Sequence, residues 1–155
     1  MEHAEGHGTK GHYWSLALEL ALHFAVMYLV MYTMIATLQH FVPNLNNLYM
    51  TLMMVTPMAA IMLFTMRSMF PSRRLNIVII AVSAVVFLAS FWAMRAQALV
   101  DDAELIRGMI PHHSGAILMC EQASLTDPEL ITLCREIVRT QREEIAQMQA
   151  ILQRQ

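Results

Sequence analysis

The sequence predicts an all-α protein in which three transmembrane helices are followed by an antiparallel helix hairpin. Of its 155 residues 57% are hydrophobic and only 14% are charged, whereas soluble domains carry about 25% charged residues. The apolar residues form three long runs, and the charges collect after Asp101. These observations divide the chain into an N-terminal His/Gly tail (1–12), a three-helix membrane domain (13–96) and a water-facing two-helix domain (97–155).

The three apolar runs are Tyr13–Val42, Leu45–Phe70 and Leu75–Met94. Each reaches the roughly 20 residues that a helix needs to cross about 30 Å of hydrocarbon. Aromatic residues lie near the ends of the runs, as at membrane interfaces. The first run is longer than the apolar part of a signal peptide and is followed by two more, so we expect it to remain in the mature protein.

Arginines set the expected orientation in the membrane. Arg67, Arg73 and Arg74 flank the second connection, whereas the first connection has no positive residue. The positive-inside rule therefore places the second connection and the N-terminus in the cytoplasm, and the C-terminal domain in the periplasm of a bacterial inner membrane. A net charge of −2 offers no basic surface for phosphates, so we expect no nucleic-acid partner.

Two helices are predicted in the C-terminal domain. Asp101–Ala123 carries a stripe at helical spacing, with His113 and Cys120 at its border. Its members are Leu105, Met109, His112, Ala116, Met119 and Ala123. Asp127 is placed to cap a second helix beginning at Pro128. The short turn predicts an antiparallel pair with Cys120 opposite Cys134, so that methionine, histidine and cysteine form a seam inside the pair.

The residue types of this seam predict a site for a soft ion. Thioether, thiolate and imidazole groups suit Cu(I) better than hard cations, and Ag(I) is a natural surrogate. Met109 can converge on one ion with His112 or His113 from the same helix face, and the second helix can complete the shell. Pro111, inside the helix, is expected to bend it beside both histidines.

Residues 109–119 read Met-Ile-Pro-His-His-Ser-Gly-Ala-Ile-Leu-Met, and Gln141, Glu144, Ile145 and Met148 follow on the second helix. This pattern resembles the family called domain of unknown function 305, over about the last third of the chain. The resemblance implies a ferritin-like bundle and, through periplasmic copper-binding proteins of the CopM type, a role in copper resistance. The implied ligands are Met109, His112, His113, Met119 and Met148. One helix pair is half of such a bundle, so we expect a homo-oligomer to complete it.

Other interpretations of these residues stay open. Cys120 and Cys134 are either a structural disulfide or two thiols that add to the metal site. The histidines could be a packed and an exposed residue that bind no metal. Gln141 and Glu144 fit an ordinary polar pair better than ligands. No Glu-x-x-His pair is present, which disfavours a di-iron carboxylate site.

The apolar runs carry their own metal-binding residue types. Met50, Met54, Met58, Met62 and Met66 recur every four residues in the second run, and Glu19, His23, Met27 and Met31 do so in the first. These ladders could conduct copper or silver, although methionine is also an adaptable packing residue. The tail histidines His3, His7 and His12 either catch metal or belong to a disordered segment.

Together the observations predict a membrane-anchored protein that sequesters, senses or hands on Cu(I) in the periplasm, in contact with lipid, with further copies of itself and with other copper-handling proteins. The alternative is a copper or silver transporter or channel subunit that uses the ladders as its path. A third possibility is a structural module without metal. No nucleophile with a base, and no phosphate-binding glycine loop, supports an enzyme.

Overall fold

A computed structural model describes residues 5–154, with side chains from residue 11 onward. Within that range the chain forms five α-helices and no strand, which confirms the all-α prediction there. A short 3-10 turn, Leu38–His40, lies between the first two helices. The helices are α1 (Glu5–Val30), α2 (Leu45–Thr65), α3 (Arg73–Ala96), α4 (Asp102–Gln122) and α5 (Pro128–Leu152).

The first three helices are long and apolar enough to cross a membrane. The apolar segments are Gly11–Val30, Leu45–Thr65 and Arg73–Ala96, of 20, 21 and 24 residues. At a rise of 1.5 Å per residue, each covers about 30 Å or more. Large apolar side chains such as Leu22 and Phe64 are exposed along them. An apolar surface of this extent is typical of a chain that contacts lipid rather than water.

The first predicted span is too long. The run Tyr13–Val42 is one apolar stretch in the sequence, but α1 ends at Val30 and residues 31–44 contain no α-helix. The apolar side chains of this segment have another role, because Ala36 and Val42 pack against buried residues of α4 and α5. Composition alone does not separate an apolar segment that faces lipid from one that faces a protein core.

The chain separates into two compact units. One comprises residues up to Val30 together with Leu48–Ala98, and the other comprises Met31–Asn47 together with the chain from Leu99 to its end. The second unit therefore contains α4, α5 and the connection between α1 and α2. This differs from the sequence-based division, in which that connection was part of the membrane domain.

Inside the first unit, the beginning of α1 packs where α2 ends and α3 begins. Leu16, Leu63 and Phe70 form a buried cluster. The Tyr13 hydroxyl donates a hydrogen bond to Oδ1 of Asn76 at 2.8 Å, and Nδ2 of Asn76 donates to the carbonyl of Phe70 at 2.9 Å. These bonds satisfy polar groups at the ends of the apolar helices, where an unpaired group would be costly.

Inside the second unit, the connection between α1 and α2 is tied to α4. Oε2 of Glu104 accepts a hydrogen bond from the backbone N–H of Leu45, the first residue of α2, at 3.2 Å. A carboxylate is favourable at a helix N-terminus, where backbone N–H groups lack partners. Gly108 permits the close approach, because a Cβ at this position would lie 3.3 Å from Nδ2 of Asn46.

The start of α5 follows the sequence-based prediction. Oδ1 of Asp127 accepts hydrogen bonds from the backbone N–H groups of Glu129 and Leu130, at 2.8 and 3.0 Å. Pro128 occupies the first helical position, where its missing N–H costs nothing. The predicted cap is confirmed, and so is the start of the helix at Pro128.

Candidate metal centre on the helix pair

Helix α4 carries the central residues of the candidate site. Its N-cap is Asp101, whose Oδ1 accepts a hydrogen bond from the backbone N–H of Glu104 at 2.8 Å. The helix continues through Pro111 to Gln122. Residues 109–119 therefore lie on one helix, which positions the side chains of residues three and four apart on the same side.

The face of α4 that packs inward is not the one expected from the sequence. Ile106, Ile110 and Ile117 are buried with Ile145 of α5, and Val138 and Met148 pack against them. The buried isoleucines of α4 each follow, by one position, a residue of the predicted stripe. Leu105, Met109, His112 and Met119 form an exposed surface, which we name the outer stripe. Branched aliphatic side chains fill the groove between the helices, so the outer stripe is left to face its surroundings.

His113 lies between the two faces and contacts α5. Its Nδ1 is 2.9 Å from the carbonyl oxygen of Met109, and its Nε2 is 2.9 Å from Oε2 of Glu144. Carbonyl and carboxylate oxygens only accept hydrogen bonds, so Nδ1 donates to Met109, and Nε2 contacts Glu144 through its own hydrogen and can bind a metal only in place of that hydrogen. Nε2 of Gln141 donates to the same carboxylate oxygen at 3.2 Å. Gln141 and Glu144 therefore form the polar pair that the sequence favoured, and the same carboxylate also contacts His113.

The three candidate methionines do not meet at one point. Met109 is 38% exposed and Met119 is 56% exposed, both on the outer stripe. Ten residues of helix separate them by about 15 Å along the axis, too far to share one ion within a single chain. Met148 instead packs against the buried isoleucine cluster. Of the candidate ligands, Met109, His112 and His113 remain, and they lie within little more than one turn of α4.

The structure joins Cys120 and Cys134 in a disulfide, with their Cα atoms 5.3 Å apart. The sequence left a disulfide and two free thiols open, and the predicted facing of these two positions is confirmed. In the disulfide form neither sulfur is a thiolate, which is the form that binds metal. Cys120 and Cys134 are therefore removed from the candidate ligands of the oxidised protein, and they act as a covalent link between α4 and α5.

A polar contact that the sequence did not indicate lies on the opposite side of α4. Ser114 is fully buried; its Oγ accepts a hydrogen bond from the backbone N–H of Ala36 at 2.7 Å and lies 2.8 Å from Nδ1 of His40. Burial lowers the pKa of His40 because it disfavours the charged imidazolium. The sequence signal was an isolated histidine at the end of an apolar run, which gave no indication of its partner.

The remaining metal-binding residue types lie in the apolar helices and the tail. Met62 packs against the buried cluster of the first unit, and Nδ1 of His23 is 2.8 Å from the carbonyl oxygen of Glu19. These contacts are local packing and a local hydrogen bond, and conduction along the ladders stays a prediction. Of the tail histidines, His12 is exposed on α1, His3 lies outside the described residues and the side chain of His7 is not described.

The fold and the site define a helical protein with three apolar helices and a disulfide-linked helix pair bearing methionine and histidine. Residues 91–153 match the family described as Domain of unknown function (DUF305). An uncharacterized protein of Acanthamoeba polyphaga mimivirus is 33% identical over 111 residues, which cover 70% of this chain and 71% of that protein. The chain therefore belongs to the DUF305 family. No solved structure matches it.

Proposed function

We propose that this chain is a membrane-anchored copper-binding protein that sequesters, senses or hands on Cu(I). The observation that carries the proposal is the placement of Met109, His112 and His113 within little more than one turn of α4, with Met109 and His112 exposed. A thioether and two imidazoles in one group form a donor set that suits a soft monovalent ion. The role is binding and transfer of the ion rather than catalysis.

The chemistry of the surrounding residues fits a soft ion better than a hard one. Within the described part of the chain, no group of three or more His, Cys, Asp or Glu side chains is placed to hold a metal. The candidate group on α4 includes methionine sulfur, which favours Cu(I) and Ag(I) over ions that require oxygen cages. In the single chain the outer stripe is exposed, so copper held here could be passed to a second copy of the chain or to another protein that docks on the stripe.

The proposed location is a bacterial inner membrane, with the helix pair in the periplasm. Residues 31–47 belong to the same compact unit as the helix pair. In the chain, apolar helix α1 precedes this segment, and apolar helices α2 and α3 lie between most of it and the helix pair. Three crossings place the first connection and the chain after α3 on the same side of a membrane, which agrees with this grouping. A disulfide between Cys120 and Cys134 suits an oxidising compartment.

We further propose that two or more copies associate through the helix pair to give a ferritin-like bundle. Leu105, Met109 and Met119 expose apolar surface along α4, and Leu130 and Leu133 do so on α5. Burial of these side chains against a second copy would complete the four helices that such bundles contain. Light scattering of the protein in detergent tests this point, and a strict monomer would contradict it.

Copper binding is tested by titrating the full-length protein in detergent with Cu(I) against a competing chelator. We expect Met109→Leu and His113→Asn each to weaken binding at least tenfold, since each removes a donor. Met94→Leu in α3 is the matched control and should bind as the unchanged protein does. Retention of full Cu(I) affinity by both site variants would contradict the proposal.

A further inference from the structure

His113 can offer a metal only the nitrogen that Glu144 already contacts. Nδ1 is engaged by the carbonyl of Met109, and Nε2 lies 2.9 Å from Oε2 of Glu144. The imidazole is largely enclosed, with 12% of the side chain exposed, whereas the Glu144 side chain is 50% exposed. An ion that reaches Nε2 therefore meets the carboxylate, and the carboxylate is the group with room to move.

We propose that Glu144 determines which ions bind at His113. This inference rests on the proposed function and names the residue that sets its selectivity. Borderline divalent ions such as Zn(II) and Cu(II) accept imidazole and carboxylate ligands together, so Glu144 adds to their site. Soft monovalent ions have little preference for oxygen, so for them Glu144 is only the hydrogen-bond acceptor that favours a hydrogen on Nε2 over a metal.

The negative charge of Glu144 also favours divalent ions over monovalent ones. A divalent ion interacts with the carboxylate charge twice as strongly as a monovalent ion at the same distance. Loss of the charge at residue 144 therefore costs a divalent ion more. Gln141 adds a second contact to this carboxylate, because its Nε2 donates a hydrogen bond to Oε2 of Glu144 at 3.2 Å.

Two other glutamates of the helix pair have arginine partners instead. Glu143 pairs with Arg139, with an Oε1 to NH1 distance of 3.1 Å on the exposed side of α5, and Glu121 pairs with Arg142. Neighbouring residues on a helix point about 100° apart. Glu143→Gln therefore removes the same charge, one residue away, without touching His113, and it is the matched control for Glu144→Gln.

The test measures the affinities of Zn(II) and Ag(I) for the full-length protein in detergent, stripped of metal by a chelator. We expect Glu144→Gln to weaken Zn(II) binding about 10- to 100-fold relative to Glu143→Gln. Binding of Ag(I) should stay within about threefold or become tighter, because the acceptor that favours a hydrogen on Nε2 is lost. Circular dichroism checks that both variants keep their helix content.

Different results separate the inference from the proposed function. If Ag(I) binds and requires His113, but Glu144→Gln behaves as Glu143→Gln with both ions, the selectivity role is wrong and the copper-binding role stands. An equal loss for both ions also overturns the selectivity role. If the unchanged protein binds Zn(II) in a manner dependent on Glu144 but binds no Ag(I), the copper-binding role fails. If neither Zn(II) nor Ag(I) binds, both the selectivity role and the copper-binding role are overturned.

Discussion

Replacement of both cysteines by serine tests how strongly the disulfide holds α4 to α5. The bond joins residues 14 apart in sequence and closes a loop that contains the turn between the helices. Loop-closure entropy for about 15 residues corresponds to roughly 3 kcal/mol at 25 °C. We therefore expect the Cys120→Ser, Cys134→Ser variant to lower the free energy for opening the helix pair by about that amount.

Hydrogen exchange followed by mass spectrometry measures this free energy locally. The two tryptophans, Trp14 and Trp92, lie in α1 and α3, so their fluorescence reports the first unit instead. For amides of α4 and α5 that exchange only when the pair opens, 3 kcal/mol corresponds to about 150-fold faster exchange. Amides of α3 should exchange at an unchanged rate in the variant.

A reductant provides the control. Treatment of the unchanged protein with a phosphine should reproduce the exchange of the serine variant, and the same treatment of the variant should have no effect. Equal exchange of α4 and α5 in the oxidised protein and in the serine variant would refute the reasoning. The covalent link would then add nothing to contacts that already hold the pair closed.

Three further outcomes follow from the second unit. Ser114→Ala should destabilise it by about 1–3 kcal/mol, because the backbone N–H of Ala36 loses its buried acceptor; thermal unfolding measures this. Ile110→Ala should cost about 2–5 kcal/mol since the side chain is 1% exposed, whereas Leu105→Ala, at 49% exposed, should cost less than half as much in the same assay. Burial lowers the pKa of His40, so the unfolded chain binds a proton more readily than the folded one near the ordinary value of 6.5. Stability should therefore fall as pH is lowered through this region, and His40→Gln should flatten a stability curve measured from pH 8 to 5.

Segment length and helix-capping residues were readable from the sequence because they depend on local chemistry. Apolar runs predicted three helices, and Asp127 followed by Pro128 predicted the start of α5. The facing of Cys120 and Cys134 followed from counting outward from a short turn. Each of these inferences needs only neighbouring residues and the geometry of one helix.

The buried face of α4 could not be predicted from neighbouring residues alone. Leu105 and Ile106 are adjacent, as are Met109 and Ile110, so apolar residues occur on two neighbouring faces at the same spacing. A shift of one residue rotates the helix by about 100° and exchanges the packed face for the exposed one. Which of the two faces is buried depends on the residues that pack against α4. They include the segment 31–44, whose apolar residues had been assigned to a membrane span.

The grouping of Met31–Asn47 with the helix pair has a practical consequence. A fragment that begins at Leu99 would lack Ala36 and Val42, which pack against the isoleucine cluster. It would also lack the backbone N–H of Leu45, which donates a hydrogen bond to Glu104. Such a fragment would expose apolar surface to water and would be prone to aggregate. A water-soluble derivative for crystallisation should graft residues 31–47 onto the helix pair, so that the missing cover is restored.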